Sequence, residues 1–282
     1  DSLLLLQGGR ALAVNGTLTV GAGHLVVTDN ALALQAGTIA LSDGRIVGPV
    51  DIAGTLRGRG SISGPVTGGG SATIRAEGGN LSLGTLSNAA GFAFGGLLEV
   101  GQRMVALLSG SRAQLGHTTT LAEGGQLASA QGIELGNNRA LAFTGNASVL
   151  GAFVNNGRVS GAGGVLRFLN DVSGAGSFAG PVVFEAGYRP GNSPASVQFG
   201  GTDVQFGSAS VLTMEILGPA PGSQYDQLLD IGTLDFQGRL SIVFGDGFVP
   251  LAGSSFQLFG FQALTGSLAP DRIDVSGFDR DR

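Results

Sequence analysis

Apolar and polar positions alternate along this chain in short bursts. Ala11–Val14, Thr17–Val20 and His24–Thr28 are three aliphatic or β-branched runs, separated by Asn15-Gly16 and by Gly21-Ala22-Gly23. The rhythm returns at Thr38–Leu41, Arg45–Val47, Val50–Ile52 and Ser61–Ser63. Runs of this length bounded by Gly, Asn and Asp are strand signals. No long Gly-free stretch repeats apolar residues at helical spacing. Gln102–Gln114 comes nearest, and Gly110 and its serines weaken it. A chain of short strands and tight turns stacks into a β-solenoid or another all-β architecture.

One internal repeat supports stacking. Gly58-Arg59-Gly60-Ser61-Ile62-Ser63-Gly64-Pro65-Val66 matches Gly174-Ala175-Gly176-Ser177-Phe178-Ala179-Gly180-Pro181-Val182 at six of nine positions, with a weaker copy at Gly161–Val165. A coil of ~20–25 residues would give roughly a dozen rungs. A different signal pulls the other way. Asn15-Gly16, Asp43-Gly44, Asn156-Gly157 and Asp246-Gly247 are dipeptides that favour antiparallel hairpins. The last part of the chain could therefore place Val211–Leu217, Gln227–Ile231, Arg239–Phe244 and Ser255–Phe259 in antiparallel order.

The aromatic residues are unevenly spread. Residues 1–91 hold none, whereas nine of the 16 Phe and both Tyr follow residue 186. The first part predicts a thin aliphatic core and the last a wider one. Gly187, Pro190, Gly191 and Pro194 interrupt the pattern between them. The expectation is thus an all-β chain. A right-handed parallel β-helix (β-solenoid) occupies 1–186, its hand taken from the class because the residues do not set it. A β-rich C-terminal segment, 187–282, continues or caps it, with strand sense left open.

Composition narrows the partners. Charged residues are 12% of 282 and Gly numbers 52, against about 25% charged and ~7% Gly in ordinary domains. Such a weakly polar surface suits ordered association. Cys is absent, and all 15 basic residues are Arg. There is then no disulfide and no thiolate metal site. With a net charge of −5 and no basic stripe, nucleic acid is not an expected partner. No run approaches the 18 or so apolar residues of a membrane span. The opening Asp1-Ser2-Leu3-Leu4-Leu5-Leu6-Gln7 reads as a mature start after signal removal.

Two elements then suggest a family. Tyr188-Arg189-Pro190-Gly191-Asn192-Ser193-Pro194 resembles the PGNSPG element of many secreted bacterial proteins. Ser223-Gln224-Tyr225-Asp226-Gln227-Leu228, Gly238-Arg239-Leu240 and Gly253-Ser254-Ser255-Phe256-Gln257-Leu258 resemble their YDQL…G.L…G..F.L series. The elements, within 188–259, are similar to those of autotransporter-like β-helix passengers and PEP-CTERM (exosortase-sorted) surface proteins of Gram-negative bacteria. The resemblance implies export, a cell-surface or extracellular location and a matrix or adhesive role, with no catalytic residues to transfer. The chain ends at Asp279-Arg280-Asp281-Arg282 without the family's sorting tail or barrel.

Candidate chemistry is sparse. Glycoside hydrolysis needs paired carboxylates, yet the acidic residues are scattered and 100–170 contain only Glu123 and Glu134. Asp226 and Asp230, four apart, read as turn or cap residues. His24 and His117 are the only histidines and show no ligand spacing. His117 belongs to a polar strand edge. The Gly-x-Ser-x-Gly nucleophile element is missing. Gly58-Arg59-Gly60 and Gly161–Gly164 lack the lysine of a phosphate loop. Asp271, Asp274, Asp279 and Asp281 alternate with Arg272, Arg280 and Arg282, an arrangement that suits salt bridges first and weak calcium binding second. Asn15, Asn80 and Asn146 stand in N-x-S/T sequons, read as coincidental in a bacterial chain. No catalytic residue, metal site or cofactor is expected, and an enzyme is not.

The Leu3–Leu6 run is the one candidate contact site. Leu3, Leu4, Leu5 and Leu6 either form a first strand buried under a cap or add to the sheet of a neighbouring copy. The first functional expectation is a secreted structural protein that self-assembles into a filament, sheath or biofilm matrix through strand edges. The alternative is a monomeric adhesin or autotransporter passenger that binds a glycan or host surface, with surface polysaccharide as partner.

Overall fold

The computed structural model describes residues 2–7, 12–191, 194–245 and 247–277. Among the described residues, apart from a short 3-10 turn at Pro270–Arg272, the regular elements are strands, and their strand-to-strand ladders are parallel. The fold is a parallel β-helix. Successive neighbours in each ladder lie one full circuit apart in sequence, as in Ile133↔Phe153 and Phe153↔Val172.

Each circuit visits three ladders. In mid-coil these are Ala140–Thr144, Ala147–Leu150 and Phe153–Asn155 on one rung. The next rung is Arg158–Ala162, Leu166–Phe168 and Val172–Gly174. On several rungs the first two sides are one bent strand, such as Thr38–Val47, Thr55–Ser63, Thr73–Thr85, Ser196–Phe206 and Gln227–Phe236. The first and second ladders therefore join into one 19-stranded sheet, and the third is a separate sheet of 13 strands. Circuits range from Val50↔Val66 to Leu240↔Ile273 in length.

The period-two pattern works because every second side chain enters the coil. On the first ladder Leu18, Ile39, Leu56, Ile74, Leu98, Thr119, Leu141, Val159 and Phe178 form one inward column of register partners. On the second, Val26, Ile46, Ile62, Leu83 and Leu107 do the same. Burying such an aliphatic side chain stabilises by about 1.5–3 kcal/mol. The helix candidate at 102–114 is two strands, Met104–Ser109 and Ala113–Gln114, because Val105 and Leu107 alternate into the core.

Rings replace aliphatic groups further on. Phe168, Phe184, Phe206 and Phe236 are successive register partners, with centroids 5.6, 5.2 and 5.2 Å apart. Phe178 stacks on Phe199 at 5.0 Å, and Tyr188 on Phe184 at 4.4 Å. Parallel in-register strands set this spacing, which lies within the favourable range for offset rings.

The repeated nonapeptide marks one side of the coil. In the first copy Ser61–Ser63 lies on the second ladder and Val66 on the third. In the second copy Ser177–Ala179 lies on the first ladder and Val182 on the second. The copies are the same strand–corner–strand unit, one side out of phase. Gly58 and Gly174 open it with φ of +108° and +105°, and Pro65 and Pro181 close it by accepting the N–H of Val50 and of Leu166. The period legible in the sequence is therefore the side, not the circuit.

The antiparallel expectation for the C-terminal part is overturned. Val211–Ile216 runs parallel to Arg239–Phe244, and Gln227–Phe236 runs parallel to Ser196–Phe206 and Phe259–Gly266. Ser255–Leu258 is not strand. Parallel ladders continue across the proposed boundary, joining Val172–Gly174 to Gly187–Pro190 and Val182–Phe184 to Ser196–Phe206. No antiparallel cap sheet is present among the described residues; isolated antiparallel bridges join Gly174 to Gly191 and Ile216 to Tyr225. The hairpin dipeptides serve corners instead. A type I′ turn needs φ > 0 at both central positions, which neither Asn15-Gly16 nor Asn156-Gly157 adopts. Gly157 is required because a Cβ there would sit 2.4 Å from the Arg139 carbonyl oxygen of the rung below. Asp246 lies outside the described residues.

Candidate functional site

Leu3–Leu6 belongs to the first strand, Ser2–Leu6, which pairs in parallel with His24–Thr28 of its own chain. Register puts Leu4 opposite inward Val26 and Leu6 opposite inward Thr28, while Leu3 and Leu5 match the outward Leu25 and Val27. Leu4 thus extends a core column, yet it is 40% exposed, and Leu3 is 62% exposed. Among the described residues nothing covers this rung. The expected burial under a cap is not observed.

The other end is similar. Phe259, Phe261 and Leu264 are partners of the buried Leu228, Ile231 and Leu234. They continue inward columns, but Phe261 and Leu264 are 40% and 42% exposed. Beside them Ile242, Phe244, Phe256 and Val275 line an apolar cavity of about 440 Å³. The large exposed apolar side chains gather at these two ends: Leu3, Leu4, Leu5, Val249, Leu251, Phe261, Leu264 and Val275 lie there, with Leu86, Leu150, Leu169 and Val211 between.

Asp226 is the buried charge of the molecule's C-terminal part. Its Oδ1 accepts the Ala195 N–H at 2.8 Å and its Oδ2 accepts the Glu215 N–H at 2.7 Å. Burial raises its pKa from the ordinary 3.8 to about 6, against these two hydrogen bonds. Next to it, Gln227 accepts from the Ser196 hydroxyl and donates to the Gln257 carbonyl, so three circuits are clipped together. Leu228 enters the core. The Tyr-Asp-Gln-Leu element is thus a structural clip, with the Glu215 charge near the Asp226 carboxylate. Asp230 holds a turn, with φ +56°. The Tyr188 hydroxyl is buried without a partner among the described residues, and burial pushes its pKa far up.

Other candidates resolve into structure. The Asn80 side chain accepts the Met104 N–H and that of Asn146 accepts the Val165 N–H, so two sequon asparagines bind neighbouring rungs. Asp274 pairs with Arg239 at 2.8 Å, while Asp279 and Asp281 lie outside the described residues. His24 is exposed on its strand and His117 on the bend before Thr118–Leu121, with His117 Nδ1 3.1 Å from the Thr118 hydroxyl. Among the described residues no three His, Asp or Glu converge as metal ligands. Among the described residues no helix is long and apolar enough to cross a membrane. The chain was compared with protein-family models, curated proteins and solved structures, and nothing matched.

Proposed function

We propose that this protein is a structural element that assembles head to tail into an extracellular filament or matrix. The observation that carries the reading is the concentration of exposed apolar side chains on the first and last rungs, in line with core columns. Each end presents an unpaired parallel strand edge, and such edges template further strands. Leu3–Leu6 and Phe261–Gly266 both occupy the second side of the coil. Stacking one end on the other would continue the same ladder and cover Leu4 and Leu264. A contact between two different surfaces of identical copies does not close on itself and propagates as a fibre. Export to a Gram-negative cell surface is part of the same proposal, supported by the resemblance of 188–259 to autotransporter passengers and exosortase-sorted proteins.

The test uses two variants. Leu4→Asp spoils one end and Leu264→Asp the other, at positions already open to solvent. Electron microscopy of the unmodified chain should show regular filaments; each variant alone should be monomeric. An equimolar mixture retains one good pair of ends and should stop at a dimer. Uniform monomeric rods of the unmodified chain at high concentration would overturn assembly and favour the adhesin or passenger alternative.

A further inference from the structure

A shallow trough follows the outer side of the third ladder. Val154, Ser173 and Arg189 are register partners on successive rungs of its floor, and its lining continues to Val211 and Thr213. Its volume is about 630 Å³. At Ala152 and Asp171 it adjoins a second hollow, of about 570 Å³, on the corner that carries Ser129 and Asn170. Both lie in mid-coil, away from the terminal rungs, so what they bind is independent of assembly.

The fold uses the polar groups here only in part. Arg189 is exposed and has no carboxylate partner among the described residues. Arg112, at the opposite end of the trough, reaches Glu134 only at 3.9 Å. Asp171 accepts the Gly187 N–H with Oδ1 at 2.9 Å. Asn170 accepts the Gly151 N–H with Oδ1, which leaves its amide N–H groups. Ser129 is 5% exposed, and its hydroxyl has no partner among the described residues.

The register Gln114–Glu134–Val154–Ser173–Arg189 sets the length of the strip. Four rung steps at the usual strand spacing span about 19 Å. The floor of Ala, Ser, Gly and Val offers no deep socket of the kind that anchors a protein partner. The strip carries two guanidinium groups, hydroxyls and amides, with its Glu134 carboxylate held by Arg112 and Gln114, and suits a linear chain rich in hydroxyl and carboxylate groups. Guanidinium takes a carboxylate through two parallel N–H···O bonds. We propose that this trough binds an acidic polysaccharide of the uronate type, with a sugar carboxylate on Arg189 and sugar hydroxyls on Ser129, Asn170 and Asp171.

The experiment is calorimetric titration of the full chain with polygalacturonate, using dextran as the neutral polymer. Saturable binding of polygalacturonate and none of dextran is expected. Arg189→Glu should weaken it by roughly tenfold or more, as loss of a charged hydrogen-bonded pair does. Arg189→Gln should act in the same direction, and circular dichroism checks that both variants fold. Ser129→Ala should weaken binding less. Arg158→Glu alters another exposed arginine, on the first ladder, without a carboxylate partner among the described residues, and should leave binding unchanged. Absence of polygalacturonate binding would overturn the proposal. So would equal losses for Arg158→Glu and Arg189→Glu, which mean general charge attraction. Equally tight binding of polyaspartate would assign the trough to acidic peptides instead.

Discussion

The coil has two regimes on one scaffold. Through Thr38–Ser63 the circuits are short, and the interior is Ile39, Leu41, Ile46, Ile52, Leu56 and Ile62. From Phe168 to Phe236 rings fill the interior in a continuous stack, and its first circuit, Phe168↔Phe184, is as short as Val50↔Val66. The narrow part depends on backbones that approach one another through glycine corners. The wide part depends on stacked rings and on polar clips such as Asp226. The ladder hydrogen bonds are shared, so the difference teaches that one ladder accepts either filling: Thr118↔Ala140 is a longer circuit than Phe168↔Phe184, yet it encloses Leu121, Leu127, Ile133 and Leu135. Near-crystalline packing is reached with branched aliphatic groups in one part and with stacked rings in the other.

The largest effect expected is at the centre of the ring stack. Phe184 touches Phe168, Phe178, Tyr188 and Phe206, and Phe184→Ala should cost about 3–5 kcal/mol in chemical denaturation. Because a solenoid's rungs contact chiefly their neighbours, hydrogen exchange should rise in 160–206 and stay near its original value in 38–63. Equal loosening of both stretches would show one cooperative unit and erase the comparison.

The clip comes next. Asp226→Ala leaves the Ala195 and Glu215 N–H groups without their acceptor, a loss of about 2–4 kcal/mol. Its titration has a definite sign. The folded carboxyl holds its proton more tightly, near pH 6 against 3.8 when unfolded. This contribution to stability is therefore complete below pH 3.8 and is lost as pH rises through 6. The melting temperature of the C-terminal rungs should climb between pH 7 and pH 4, and Asp226→Asn should flatten that climb. A wild-type profile unchanged by Asp226→Asn would contradict the assignment.

The narrow regime is probed at its corners. A Cβ at Gly58 would lie 1.9 Å from the Leu41 carbonyl oxygen, with φ at +108°. Gly58→Ala should cost roughly 1–3 kcal/mol and loosen 38–63 while sparing the ring stack. The smallest effect is outside. Arg59 pairs with Asp43 across two rungs at the exposed surface, where it holds the Asp43 carboxyl below its usual range. Arg59→Ala should leave the melting temperature within experimental error, since water and salt screen such pairs.

Local chemistry made the strands readable. His24–Thr28 and Val50–Ile52 stand where the pattern places them, and alternation identified their buried residues. Leu3–Leu6 was legible as an apolar strand, but its pairing with His24–Thr28 was not. The Asp43-Gly44 and Asn156-Gly157 dipeptides misled for a definite reason. A corner between stacked rungs and a hairpin turn both need residues without bulk, and only the torsions separate them. The trough around Arg189 was invisible, because Gln114, Glu134, Val154, Ser173 and Arg189 are brought together solely by register.

By itself, then, the sequence determined that this chain makes short strands, where its corners fall and which side chains turn inward. Side-chain period, β-branching and glycine act within a few residues, so they can be read in one dimension. It also determined the uneven filling of the core, since the absence of aromatics before Phe92 is a matter of composition. Tertiary structure alone decided that the C-terminal strands run parallel, that the nonapeptide marks a side of the circuit, and that Asp226 is a clip. Each of these depends on which residue lies one rung away. Circuit length varies from rung to rung, so no fixed spacing encodes that neighbour; the packing of the lumen selects it.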